Sequence, residues 1–222
     1  MPLYTRFLRW AFTRFYREFA WTYDVVAALV SRGLWQHWIV AVVPYLNGRS
    51  VLELGSGTGY LQRALHTQRI RAVGLDASPQ MLRRARRKVE QSGSVPNLLQ
   101  GRAQQLPFPA ATFSDVVATF PAEYILERAT LAEAWRVLEP GGRLLLIDAA
   151  QFAQQDVYSS AVELAYRATQ QVRTEDARPR LLREQGFVVR EEWVPVRASQ
   201  VQLLIGTKPD GAIAFPADRG AA

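Results

Sequence analysis

Val51-Leu52-Glu53-Leu54-Gly55-Ser56-Gly57-Thr58-Gly59-Tyr60 reads as a short apolar strand that runs into three alternate glycines and then into a helix. Residues without side chains let the backbone turn tightly and come close to a ligand, with the N-terminus of the next helix beneath it. The spacing is G-x-G-x-G, and Tyr60 stands where a dinucleotide fingerprint needs its last glycine or alanine, which argues against NAD or FAD. Asp76 lies 21 residues after Gly55, at the end of the next β-rich run, where a carboxylate can accept hydrogen bonds from ribose hydroxyls. Loop and carboxylate together indicate a nucleoside ligand.

Outward from this loop, residues 50–148 alternate short β-rich runs with amphipathic helical stretches, the pattern of a parallel sheet with crossover helices. The pattern predicts strands over residues 50–54, 71–75, 97–100, 115–119 and 143–147. Ser78 and Pro79 read as the N-cap and first residue of a helix ending near Gly93. Thr130 with Glu133 reads as a capping box, and Pro140-Gly141-Gly142 closes that helix. Next come a helical stretch over about 155–171, a short helix stopped by Gly186, and two strands, 187–194 and 200–207, with a turn near Pro195. Residues 208–222, rich in Pro, Gly, Ala and Asp, read as a loose tail.

Residues 1–48 hold half of the protein's Trp, Tyr and Phe. Leu8, Ala11, Phe12, Phe15 and Phe19 share one side of a helical wheel, and Arg6, Arg9 and Arg17 lie away from it. A second helix is expected over about 24–43, ending before Pro44 and a turn at Asn47-Gly48. These residues are expected to form a helical cap or lid, which packs on the domain, meets an apolar substrate, or rests through residues 1–20 on an anionic bilayer.

The 222 residues are 49% hydrophobic and 21% charged, the balance of a globular protein with enough apolar material for a full core. With no cysteine, disulfides, thiolate metal sites and cysteine nucleophiles are excluded. His37 and His66 do not stand in a metal-ligand spacing, so no metal is expected. The net charge of +7 and pI near 10.1 suit polyanions, whether nucleic acid, anionic lipid or an acidic substrate. No apolar run reaches the roughly 20 residues of a membrane span, and arginines interrupt every candidate signal-peptide core. A cytoplasmic protein is expected, peripheral at the inner membrane face at most.

The ordered motifs resemble class I S-adenosylmethionine-dependent methyltransferases, in the small-molecule branch that includes the ubiquinone and menaquinone C-methyltransferases. The resemblance runs through the residues from Val51 to Gly59, Val73-Gly74-Leu75-Asp76-Ala77-Ser78-Pro79-Gln80-Met81-Leu82, Leu106-Pro107-Phe108, and Arg136-Val137-Leu138-Glu139-Pro140-Gly141-Gly142. It implies one α/β domain over residues 49–207: a doubly wound, Rossmann-like, seven-stranded sheet with an antiparallel last strand. It also implies S-adenosyl-L-methionine as cofactor. By position, Glu53 and the loop Gly55, Ser56, Gly57 and Gly59 would surround its methionine part, and Asp76 would bind both ribose hydroxyls. Ala77 and Met81 would pack near the adenine. The family's Gly-Asp-Ala here reads Gly101-Arg102-Ala103, so the acid is absent; either Gln104 takes its place or backbone and water serve the adenine amine, with the Ala103 backbone at the ring. Phe120 would offer its carbonyl to the cofactor's amino group, and Tyr23 would close over the carboxylate end.

The activity implied is methyl transfer to a small, lipophilic acceptor such as a quinone precursor or a phospholipid head group. Glu123, Tyr124, His37 and Asp148 are the ionisable candidates for a base by motif position, and none is assigned. Two alternatives are a nucleic-acid methyltransferase, against which stands the lack of an RNA-binding module or an Asn-Pro-Pro-aromatic motif, and a catalytically inactive S-adenosylmethionine-binding protein. The run Arg83-Arg84-Ala85-Arg86-Arg87-Lys88 is a solvated helix face first and a phosphate site second.

Overall fold

The computed structural model describes residues 27–153 and 177–211. The elements are α1 (Trp35–Val40), β1 (Val51–Leu54), α2 (Tyr60–Thr67), β2 (Ala72–Asp76), α3 (Pro79–Glu90), β3 (Leu98–Gln100), β4 (Phe113–Thr119), α4 (Arg128–Val137), β5 (Leu138–Phe152), α5 (Ala177–Glu184), β6 (Val188–Val196) and β7 (Ser199–Thr207). The strands join one seven-stranded sheet in the order β3-β2-β1-β4-β5-β7-β6. β1 to β5 run parallel, and β7 pairs antiparallel with both β5 and β6. This is the expected doubly wound sheet with its antiparallel last hairpin.

Alternation along the central strands splits the core in two, because successive side chains point to opposite faces. Leu144 and Leu146 of β5 pack with Leu52, Leu131, Trp135 and Leu182, whereas Leu145 and Ile147 pack with Val51, Trp38, Leu61 and Leu65. One face thus carries α4 and α5, and the other carries α1 and α2, with α3 beside α2. Helix α3 begins as read: the Ser78 hydroxyl accepts a hydrogen bond from the Met81 amide at 3.3 Å, and Pro79 occupies the first turn. Its Met81, Ala85 and Val89, four residues apart, are the buried stripe.

Four local expectations are corrected. The helix expected over 24–43 is broken at residues 31–33, where Arg32 and Gly33 take positive φ; residues 27–30 and α1 are helical on either side. Thr130 does not cap α4: Glu127 is the N-cap, Thr130 lies inside the helix with its hydroxyl unpartnered, and Glu133 accepts instead from the Leu106 amide and Arg136. The last hairpin turns at residues 197–198, with Pro195 inside β6; an edge strand can carry a residue that donates nothing to the ladder. Lys208, the first residue of the expected tail, is buried, and its ammonium donates to the carbonyls of Trp135 and Leu138 at 2.9 and 2.8 Å, capping the end of α4. Residues 1–26, 154–176 and 212–222, with the amphipathic helix and the 155–171 helix expected there, lie outside the described residues.

Candidate functional site

Strand order reverses between β1, paired to β2 on one side, and β4, paired on the other, so the crevice of an open α/β sheet opens at their carboxyl ends. The glycine loop fills that position. The amides of Gly55 and Ser56 both donate to the Leu75 carbonyl at 2.7 and 3.0 Å, which ties the start of the loop to the end of β2. Gly59 caps α2 with φ +84°, and a Cβ there would stand 2.7 Å from the Ala85 Cα, so α3 packs directly on the loop. At Gly57 the nearest atom to an added Cβ is 3.9 Å away, leaving the middle of the loop open. The Ser56 hydroxyl is buried without a hydrogen-bond partner.

Asp76 organises the loop. One carboxylate oxygen accepts from the Gly57 amide at 2.8 Å and the other from the Ser78 amide at 2.7 Å. A carboxylate offers about four acceptor positions, so two remain for a ligand. Burial pushes the Asp76 carboxyl above the usual carboxylate range, against the pull of the Ser78 and Gly57 amides.

Glu53 lies behind the loop, 2% exposed, and accepts from the Gln62 amide nitrogen at 2.8 Å. Burial pushes its carboxyl up to about 8, with the nearby Asp76 charge adding to the rise and the Gln62 bond opposing it. The folded chain therefore keeps this proton to about pH 8, whereas an unfolded glutamate loses it near 4.5. Between those values unfolding releases a proton, so this group's contribution to stability falls as pH rises through the window. At about 1.4 kcal/mol per pKa unit the effect is a few kcal/mol. Glu53→Gln is expected to flatten the loss of melting temperature between pH 5 and pH 9 that the wild-type chain shows; parallel curves for the two proteins would contradict the assignment.

The remaining expected residues divide. Met81 is buried in the first turn of α3, Ala77 is exposed between Asp76 and that helix, and Ala103 is buried just past β3. Gln104 does not stand free: its amide donates to Glu127 at 2.7 Å. Phe120, just past β4, has φ +47°, a conformation uncommon outside glycine, and its amide donates to the Ile147 carbonyl at 2.7 Å. Tyr23 lies outside the described residues.

Among the candidate bases, Tyr124 enters the crevice: its hydroxyl donates to the Leu54 carbonyl at 3.1 Å and stands 2.5 Å from where a Gly55 Cβ would be. Asp148 forms an ion pair with Arg178, which burial holds down to about 10, still charged at neutral pH. Glu123 is exposed, and the His37 Nδ1 is buried without a hydrogen-bond partner.

Sequence reasoning missed an aromatic wall beside Phe120. Trp35 stacks on it with ring centroids 4.7 Å apart, and Trp38 lies 6.1 Å from Phe120 and 5.6 Å from Phe152. The Trp35 and Trp38 spacing was the available signal; the turn at Phe120 that brings the rings together was not.

A family model describing a methyltransferase domain matches residues 51–142. The chain is 40% identical over 121 residues to a phosphatidylethanolamine N-methyltransferase of Cereibacter sphaeroides, covering 53% of this chain and 58% of that protein. It is 34% identical over 136 residues to the ubiquinone/menaquinone biosynthesis C-methyltransferase UbiE of Enterobacter sp. (strain 638), covering 57% of this chain and 54% of that one. The chain thus spans a little over half the length of these curated relatives. Among solved structures, magnesium protoporphyrin IX methyltransferase from Synechocystis PCC 6803 shares the fold with a TM-score of 0.62 at 16% identity, over 88% of this chain and 97% of that one. A SAM-dependent methyltransferase from Thermotoga maritima, described as a possible histamine N-methyltransferase, gives 0.62 at 20% identity, over 88% and 99%. With the glycine loop, Asp76 and the strand order in place, residues 51–142 form a methyltransferase domain on the sheet that S-adenosylmethionine-dependent methyltransferases share.

Proposed function

We propose that this chain binds S-adenosylmethionine at the β1/β4 crevice and transfers its methyl group to a small, lipophilic acceptor. The observation that carries the reading is Asp76, held by two backbone amides with acceptor capacity to spare at the end of β2. The site fits the cofactor on three counts: two free acceptor positions for two vicinal hydroxyls, an open stretch at Gly57, and an unpartnered buried Ser56 hydroxyl in the loop. Asp76 would hold the ribose, the loop Gly55, Ser56, Gly57 and Gly59 with Glu53 behind it would hold the methionine part, and Ala77, Met81 and Ala103 would line the adenine. Gln104, engaged by Glu127, would serve the adenine amine only by leaving that partner. Phe120 would present its carbonyl, and Tyr23 would close over the carboxylate end.

A sulfonium supplies an already activated methyl group, so the protein's task is alignment and exclusion of water. Trp35, Phe120 and Trp38 provide an apolar wall at the carboxyl end of β4 for that purpose. Tyr124, whose hydroxyl donates to the Leu54 carbonyl, stands against Gly55 and shapes the crevice at the start of the loop. Asp148, paired with Arg178, positions that arginine rather than serving as a free base. No covalent intermediate is needed.

The relatives' names support two acceptor classes, a phospholipid head group and a quinone precursor. The basic, aromatic residues 1–20 support peripheral contact with an anionic membrane; no helix among the described residues is long and apolar enough to cross one. Incubation with methyl-labelled cofactor should label phosphatidylethanolamine or a demethylated quinone dispersed in detergent. Cofactor binding without label in either lipid would reject the lipophilic acceptor while leaving the cofactor site intact.

A further inference from the structure

The two helical layers differ in how their cations are used. Helices α4 and α5 carry five arginines, and three of these hold ion pairs: Arg136 with Glu133, Arg178 with Asp148, and Arg180 with Glu184. Helices α1, α2 and α3 carry Arg63, Arg83, Arg84, Arg86, Arg87 and Lys88 against the single acid Glu90. Among the described residues, none of the side chains of Arg83, Arg84, Arg86 and Arg87 makes an ion pair or a hydrogen bond. Arg83, Arg86 and Arg87 are exposed and form one row on α3, since residues three and four apart share a face. The buried stripe Met81, Ala85 and Val89 fixes that row outward.

Glu90, four residues past Arg86 and three past Arg87, is the one acid of α3, so the row keeps a net positive charge that attracts an anionic partner. Guanidinium groups pair with phosphate by bidentate hydrogen bonds. We propose that Arg83, Arg86 and Arg87 form a docking face for the phosphate layer of an anionic lipid bilayer. Two features favour a bilayer over nucleic acid. Single-stranded nucleic acid is held by bases stacking on exposed aromatic platforms, and the exposed large apolar side chains among the described residues include none that is aromatic on α1, α2 or α3. Instead the loop leaving α3 carries an exposed aliphatic side chain, Val95, 87% exposed, of the kind an interfacial contact buries. Helix α3 also starts three residues past Asp76, so a membrane along this face lies beside the mouth of the crevice.

The inference stands apart from the methyl-transfer reading, because vesicle binding is measured without cofactor. The full chain should cosediment with vesicles of phosphatidylcholine and phosphatidylglycerol and not with phosphatidylcholine alone, and the binding should weaken with added salt. Replacing all three residues, Arg83→Glu, Arg86→Glu and Arg87→Glu, should weaken partitioning by about a hundredfold or more, since each cation near an anionic surface contributes about fivefold. The matched Arg→Gln triple should fall between, and both variants should keep the wild-type melting temperature. Three results would overturn the proposal: equal partitioning of wild type and the Glu triple, which would move the contact to residues 1–20; binding indifferent to phosphatidylglycerol; or no vesicle binding beside a salt-sensitive complex with RNA.

Discussion

Asp76→Ala is expected to bind S-adenosylmethionine at least about a hundredfold more weakly than the wild-type chain, with little loss of fold stability. A hydrogen bond to a charged acceptor contributes about 1.5–3 kcal/mol, and two ribose hydroxyls would lose theirs together. The same carboxylate fixes the loop by accepting from the Gly57 and Ser78 amides, so the surviving loop is also less ordered for binding. Stability follows a different sign. Burial raises the Asp76 carboxyl, which means that the charged form is disfavoured by folding at neutral pH. The empty protein therefore gains little from this charge, and Asp76→Asn should melt near or above the wild type while binding poorly. Calorimetric titration beside thermal melting separates the two; intact affinity in Asp76→Ala would remove the residue from the site.

Gly59→Val should do the reverse and cost stability first. At φ +84° a β-branched residue is strained by about 1–3 kcal/mol, and its Cβ would lie 2.7 Å from the Cα and 2.8 Å from the Cβ of Ala85. Neither contact can yield by a rotamer change, so α3 must move off the loop, at a further cost of about 1–3 kcal/mol. A loss of about 3 kcal/mol or more is a large part of the 5–15 kcal/mol typical of a domain. Gly57→Ala is the matched control: its Cβ meets nothing closer than 3.9 Å, so only the cost of φ +51° applies, while the methyl group enters the open side of the loop. Denaturant unfolding should rank Gly59→Val far below Gly57→Ala, and cofactor binding should be lost in both. Similar stabilities would mean that α3 does not rest on Gly59 as described.

Much of this arrangement was readable from local pattern. The strands came from apolar runs whose burial on both faces is what a parallel sheet demands, and the N-cap at Ser78 and the carboxylate at Asp76 came from residue type at a fixed offset. What stayed hidden depended on partners distant in sequence. Thr130 and Glu133 satisfy the spacing of a capping box, yet Glu133 is captured by Arg136 and the Leu106 amide. Gln104 suits an adenine amine by position, yet Glu127, 23 residues on, holds its amide. The stacking of Trp35 on Phe120 rests on a left-handed residue just past β4 that no propensity marks. Glu53 and Asp76 share a lesson: both are raised by burial, so both are retained at a cost to the empty fold, as binding residues often are.

The measurement that tests the central claim most directly is calorimetric titration of the full chain with S-adenosylmethionine and, separately, with NADH. Saturable binding of S-adenosylmethionine and none of NADH is the expected result, since Tyr60 stands where the dinucleotide fingerprint needs a small residue. Failure to bind S-adenosylmethionine, or preference for NADH, would contradict the assignment of the β1/β4 crevice as its site.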